Sequence, residues 1–373
     1  MRKRSLWGVA AVAVVVAAGW FGVQSRGDDP APRPVAGEEA PVVPGRLPPL
    51  GVMLPASEAS GLAASHHYPG VFYWLRDGGP SKPDTPRDAI WAMRLGAGGV
   101  PEPVRDGEMF PSYAVAGATN HDWEALTVDD AGALWIGELG ANDCKAQQRL
   151  LQVAEPDPSG FGAVEVVADY DLRFPDNPKP GCRTYNSEAL LWLDGRLYVF
   201  AKTRGTPVYR VDLPPGARGT ATLTRIGEFG EGVDNISAAS VSEDRSRLMV
   251  LDHERLRVFT TDPTAVGDDF LAGAAASAPT GTARFEAPGG ASVEGGTFVP
   301  GGHDIAFVAE DRHLYYAHPQ SYGEPPAVPG GTPATTPGFS PPQGTPPPAT
   351  SEDWDDPALD LLPTLTPGAD DVG

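Results

Sequence analysis

The feature that most constrains this chain is a strand pair that recurs five times. Ser60-Gly61-Leu62-Ala63-Ala64 precedes Val71-Phe72-Tyr73-Trp74, and Glu124-Ala125-Leu126-Thr127-Val128 precedes Leu134-Trp135-Ile136-Gly137. Glu188-Ala189-Leu190-Leu191-Trp192 precedes Leu197-Tyr198-Val199-Phe200, and Ser237-Ala238-Ala239-Ser240-Val241 precedes Leu248-Met249-Val250-Leu251. Glu294-Gly295-Gly296-Thr297-Phe298 precedes Ile305-Ala306-Phe307-Val308. The starts at 60, 124, 188, 237 and 294 are spaced by 64, 64, 49 and 57 residues. Each pair joins a strand rich in small residues to a more apolar one through Asp, Gly or Pro. Third strands follow at Ala89–Met93, Arg149–Val153, Val208–Val211 and Arg257–Phe259, with fourth strands at Val164–Val167 and Thr222–Ile226.

Four-stranded units at this spacing predict an all-β protein, a β-propeller of about five blades, with six as the alternative if the long first unit hides one. Small residues suit innermost strands crowded round a channel, and continuous apolar runs suit second strands packed between neighbouring blades. A β-sandwich is the competing architecture. After Glu294 only two or three strands fit, so Leu50-Gly51-Val52-Met53-Leu54 is expected to supply the missing outer strand and close the ring as a clasp.

Outside this body the chain changes character. Met1-Arg2-Lys3-Arg4 precedes an uncharged apolar run from Leu6 to Val23, long enough at ~1.5 Å per residue to approach a bilayer core. Residues 1–26 are therefore expected to be an export segment. It is either an uncleaved single-pass anchor or a cleaved signal peptide, and the rest lies outside the cytoplasm. Residues 27–50 read as a Pro- and Gly-rich linker, 51–320 as the propeller, and 321–373 as a disordered, Pro-rich acidic tail. The 28 Lys and Arg against 49 Asp and Glu, a formal net charge of −21, exclude a nucleic-acid partner, because phosphate binding needs a basic face. A monomer is expected, with an extracytoplasmic ligand or protein as partner.

Propeller geometry converts spacing into position. Loops entering first strands and leaving second strands share one face, the channel mouth. That places Glu58, Asp122, Glu124, Asn186, Glu188, Asp234 and Glu294 together with Glu138, Asn142, Asp143, Asp252 and Glu310. Asp77, Lys202, His253, Arg76 and His121 fall on the same face, and His66-His67 on the opposite one. Carboxylates converging on an axis suit a hard cation such as Ca²⁺, and Glu124, Glu188, Glu294 and Asp122 are the candidate metal ligands. Close like charges raise one another's pKa values unless a cation offsets them. The competing reading is that these glutamates accept backbone N–H groups and fasten neighbouring blades. No Gly-x-Ser-x-Gly elbow, phosphate-cradling loop or His-Glu-x-x-His run occurs. Cys144 and Cys182 both fall on the mouth face, and an oxidising compartment favours their pairing over two free thiols.

The runs Glu58–Ser65, Asp122–Leu126, Ile136–Asp143 and Asn186–Leu190 resemble exported bacterial β-propellers, distantly similar to esterase-like phytase and strictosidine-synthase or gluconolactonase propellers. The resemblance covers about residues 57 to 260. Leu75-Arg76-Asp77 stands where such proteins often carry His-Asn-Asp, and Ser237 stands in place of an acidic repeat start. Two functions are consistent with these residues. One is a ligand- or partner-binding module; the other is a metal-dependent hydrolase of esters, lactones or phosphates.

Overall fold

The computed structural model describes residues 45–78, 86–141, 144, 147–176, 184–230 and 232–324. The expected N-terminal helix and most of the linker and acidic tail lie outside them, as do Asn142, Asp143 and Cys182. No helix among the described residues is long and apolar enough to cross a membrane.

After a short strand β1 (Arg46–Leu47), strands fall into five antiparallel groups. The first holds β2 (Ala59–Ala64), β3 (Val71–Arg76), β4 (Ala89–Leu95), β5 (Pro101–Glu102) and β6 (Ser112–Ala116). The second holds β7 (Trp123–Val128), β8 (Leu134–Glu138), β9 (Arg149–Val153) and β10 (Ala163–Arg173). The third holds β11 (Ser187–Leu193), β12 (Arg196–Ala201), β13 (Pro207–Asp212) and β14 (Arg218–Glu228). The fourth holds β15 (Ala238–Val241), β16 (Arg247–Asp252), β17 (Arg255–Thr260) and β18 (Gly281–Phe285). The last holds β19 (Val293–Phe298), β20 (Ile305–Ala309) and β21 (Leu314–Ala317).

The first strands touch in cyclic order, β2 to β7 to β11 to β15 to β19 and back to β2, so the array closes on itself as a β-propeller. Its core is divided accordingly. Five apolar clusters occur, each between two successive groups, the fifth joining the last group to the first. The period of a strand makes this work, because alternate side chains leave by opposite faces. On β12, Leu197 and Val199 enter the cluster shared with the second group, while Tyr198 and Phe200 enter the one shared with the fourth. Second strands are accordingly buried on both faces, whereas the outer β10 and β14 alternate between exposed and covered positions.

First strands press together closely. A Cβ on Gly61 would lie 2.3 Å from the Leu126 backbone nitrogen, so β2 and β7 can approach only with glycine there. Hydroxyls satisfy the free edges: Ser60 Oγ donates to the Glu124 carbonyl (2.6 Å), and the Trp192 N–H donates to Thr127 Oγ1 (3.3 Å).

Three features depart from the expected layout. The clasp is split: β1 adds parallel to β18 on the fourth group, while the Leu50–Leu54 segment runs beside the last group through a single Met53–His313 bridge. Leu50 N–H to the Leu314 carbonyl (2.7 Å) and Leu54 N–H to the Arg312 carbonyl (2.8 Å) hold it there, and Leu54 is fully buried. The outer β10, eleven residues long, pairs in parallel with both β6 and β14 and so ties three groups together round the outside. An α-helix, α1 (Gly267–Ala275), interrupts the fourth group, and its Phe270, Leu271 and Ala274 fill the cluster between third and fourth groups. At the far end Tyr322 is packed into the body, and its hydroxyl donates to the His303 carbonyl (2.6 Å).

Candidate functional site

Each first-strand glutamate occupies a β-bulge. The register of β7 against β8 slips between Trp123 and Ala125, that of β11 against β12 between Ser187 and Ala189, and that of β19 against β20 between Val293 and Gly295. The residue skipped is Glu124, Glu188 or Glu294. A bulged residue leaves the ladder and its side chain is re-aimed, which turns all three carboxylates toward the channel. In the first group the slip takes in Ser60, and the fourth group pairs Ala238 to Val241 without a slip.

The three glutamates are buried, and they gather partners into two sets. Carboxylate oxygens of Asp77, Asp122 and Glu124 lie within 4.8 Å of one another, as do ligand atoms of Glu188, His253 and Glu294. Lys202 Nζ pairs with Glu188, whose other oxygen is 3.3 Å from His253 Nε2; the same nitrogen is 3.6 Å from Glu294. Ser292 Oγ, 3.1 Å from His253 Nδ1, orients the ring. Ser60 Oγ lies 3.2 Å from Glu124 Oε2. Among the described residues, Ser60 donates to Glu124, and Lys202 and His253 lie within hydrogen-bond reach of Glu188.

Burial, reinforced by Glu188 and Glu310 and opposed by Lys202, pushes the Glu294 carboxyl up to about 9. Glu124 is held well above the usual carboxylate range by burial and by Glu188, Glu294, Asp122 and Asp77. Burial and the neighbouring Asp77, Glu188 and Glu138 raise Asp122 to about 6, against the pull of Arg87. These mutual repulsions join the two sets into one acidic ring. Its fit is close: a Cβ on Gly140 would lie 1.9 Å from Asp122 Oδ2. Beside the Glu188 set opens a groove of about 490 Å³, lined in part by Lys202, Asp252, His253, Arg255 and Arg257.

The other mouth residues have structural partners. Asp234 Oδ1 accepts the Gly205 N–H (2.6 Å), Asn186 Oδ1 the Ala141 N–H (2.7 Å), and Glu138 the Trp123 indole N–H (3.2 Å). Asp252 pairs with Arg257 at 2.6 Å. Glu58 donates its N–H to the Glu310 carbonyl (2.7 Å) and accepts from Asp77 N–H (2.9 Å), stitching the last group to the first. Burial, with Asp77 and Glu310, raises the Glu58 carboxyl too. Of the expected cysteine pair, Cys144 accepts the Thr184 N–H at its carbonyl (3.4 Å), and Cys182 lies outside the described residues.

Sequence spacing placed Asp77, Lys202 and His253 at the mouth without joining them to the glutamates. The available signal was the Asp252-His253-Glu254 run, two charged residues flanking an imidazole at a strand end. His67, on the opposite face, is 2.5 Å from Glu155.

No protein-family model and no curated protein matches the chain. Among solved structures, a gluconolactonase from Xanthomonas campestris is similar over 70% of this chain and 86% of its own, at 15% identity and a TM-score of 0.35.

Proposed function

We propose that this chain is an exported five-bladed propeller that binds a divalent cation of the calcium class at its channel mouth and, through it, an oxygen-rich ligand. The observation that carries this reading is the set of three bulged, buried glutamates at one repeat position. They stand in two sets, Glu124 with Asp77 and Asp122 and Glu188 with Glu294 and His253, and among the described residues Lys202 and His253 are the cationic side chains paired with them. Five apolar layers in a closed cycle support the blade number. The all-oxygen Asp77, Asp122 and Glu124 set matches the donors a hard cation takes, whereas an imidazole in the Glu188 set also suits softer divalent ions. When bound, the cation would neutralise the ring and polarise a ligand oxygen. Lys202, Ser292 and Ser60 orient the ring's side chains, and the adjacent groove, with Arg255 and Lys202 on its walls, accommodates an anionic or ester-like group.

The test is a Ca²⁺ titration of the purified domain followed by thermal denaturation and metal analysis. Ligand at a hundred times Kd stabilises by about 2.7 kcal/mol, so a rise in Tm is expected, absent from Glu124→Gln/Glu188→Gln. A Tm indifferent to Ca²⁺, Mg²⁺, Mn²⁺ and Zn²⁺ would sink the reading. Hydrolysis of an ester, lactone or phosphate is the second reading. It is favoured by the place of Asp122: a carboxyl at about 6 accepts a proton near neutrality directly beside the candidate ligands. Turnover of a chromogenic ester or lactone that Asp122→Asn removes would establish it. Export itself is supported by the Arg2-Lys3-Arg4 flank and the Leu6 to Val23 run, with membrane fractionation deciding between anchor and secreted forms.

A further inference from the structure

The two sets of ligand atoms at the mouth differ in chemistry. Asp77, Asp122 and Glu124 offer carboxylate oxygens alone, whereas Glu188 and Glu294 face the His253 imidazole. The donors of the second set come from three different groups: Glu188 on β11, His253 just after β16 and Glu294 on β19. The His253 carbonyl accepts the Val293 N–H (3.1 Å), so the backbone fixes the imidazole beside Glu294.

Two observations mark this set as short of a partner. Glu294 is only 4% exposed, yet no hydrogen bond among the described residues reaches its carboxylate, and His253 Nε2 stands 3.6 Å away. A buried carboxylate without a donor is costly. The second observation is how the ring is held. Ser292 Oγ lies 3.1 Å from Nδ1, which leaves Nε2 as the one ring nitrogen facing both carboxylates. That nitrogen carries at most one proton, which serves Glu188 Oε2 at 3.3 Å and leaves Glu294 unserved. A cation among the three atoms satisfies all of them, with Nδ1 held by an outer partner as at imidazole metal sites. Lys202 pairs with the other oxygen of Glu188, so Oε2 stays available.

We propose that Glu188, His253 and Glu294 form a second metal site, selective for a divalent transition ion of the zinc class. The proposal rests on the reading of the mouth as a cation site and adds a second ion of another class. An imidazole with two carboxylates suits such an ion, whereas the all-oxygen set suits a hard one. Three protein ligands leave a fourth position open. His253 and Lys202 also line the adjacent groove, through which that position is reached.

The test loads metal-free full chain with Ca²⁺ and then titrates Co²⁺, a coloured stand-in for Zn²⁺. Ca²⁺-saturated protein should take up a further equivalent of Co²⁺ with a visible absorption band, which Zn²⁺ then abolishes. His253→Asn should lose the band and keep Ca²⁺, and Asp122→Asn should weaken Ca²⁺ and keep the band. Ser292→Ala leaves all three ligands in place and guards against misfolding of the first variant; it should weaken Co²⁺ about tenfold. Co²⁺ that displaces Ca²⁺ one for one, or a band indifferent to both His253→Asn and Ser292→Ala, would overturn the second site and leave the calcium reading standing. Uptake of neither ion would remove both.

Discussion

Glu294 shows what a single residue costs this structure when no cation is present. Its carboxyl titrates near 9 in the folded chain against an ordinary value of 4.5, so between those values the native state keeps a proton that the unfolded chain has released. Stability then falls as pH rises, because the unfolded state binds fewer protons throughout that window. Metal-free protein should lose Tm progressively from about pH 5 to pH 9, and Glu294→Gln should flatten the curve. A Tm constant across that range would show that the burial is relieved in solution. Glu124 is likewise held well above the usual carboxylate range, in part by Glu294, so these two release their protons as a coupled pair. Saturating Ca²⁺ should remove most of the slope in the parent protein.

At the scale of the element, the bulged first strand is the device that builds the mouth. A regular strand would send alternate side chains into the two flanking apolar layers, and a glutamate there would be a buried unpaired charge. The slip of one residue lets the acid leave the ladder while Trp123 and Ala125 stay in their layers. Close approach of neighbouring first strands is the accompanying requirement. Gly61→Ala places a methyl 2.3 Å from the Leu126 nitrogen. Overpacking of this kind costs about 1–3 kcal/mol, read as a lower urea midpoint with an unchanged slope. The loop after β8 makes a separate prediction. Its Cys144 carbonyl already meets Thr184, two residues beyond Cys182 in sequence. A non-reducing peptide map should join the two cysteines, with roughly 3–4 kcal/mol lost on reduction of so long a loop. Two thiols freely alkylated without reductant would refute the bridge.

For the whole molecule, closure depends on residues before the first group. Leu47 packs in the layer between the fourth and last groups, and Leu54 and Ala56 in the layer between the last and first. A chain beginning at residue 59 forfeits two fully buried leucines, at about 1.5–3 kcal/mol each, and uncovers strand edges on β18 and the last group. It should unfold at lower urea and form larger species on gel filtration, whereas a chain beginning at residue 45 should stay monomeric and fully stable. Equal behaviour of the two would mean that the last three-stranded group closes the ring unaided.

The repeat order, the small-then-apolar strand pairs and the equivalence of Glu124, Glu188 and Glu294 were all legible in the residues, because strand period and burial act locally and repeat with each unit. The α1 insertion was not, since its Phe270 and Leu271 pack into a layer formed with residues of the third and fourth groups distant in sequence, such as Tyr198, Val208 and Leu248. Nor was the split clasp, which depends on which edge the chain passes after leaving the tether. The pairing of His253 with Glu188 and Glu294 joins residues 65 and 41 positions apart, and nothing local in any of them specifies the others. Residue type and spacing determined that acids would reach a common rim. Tertiary packing alone decided which of them share a space with Lys202 and His253, because desolvation and charge proximity exist only once the ring is closed.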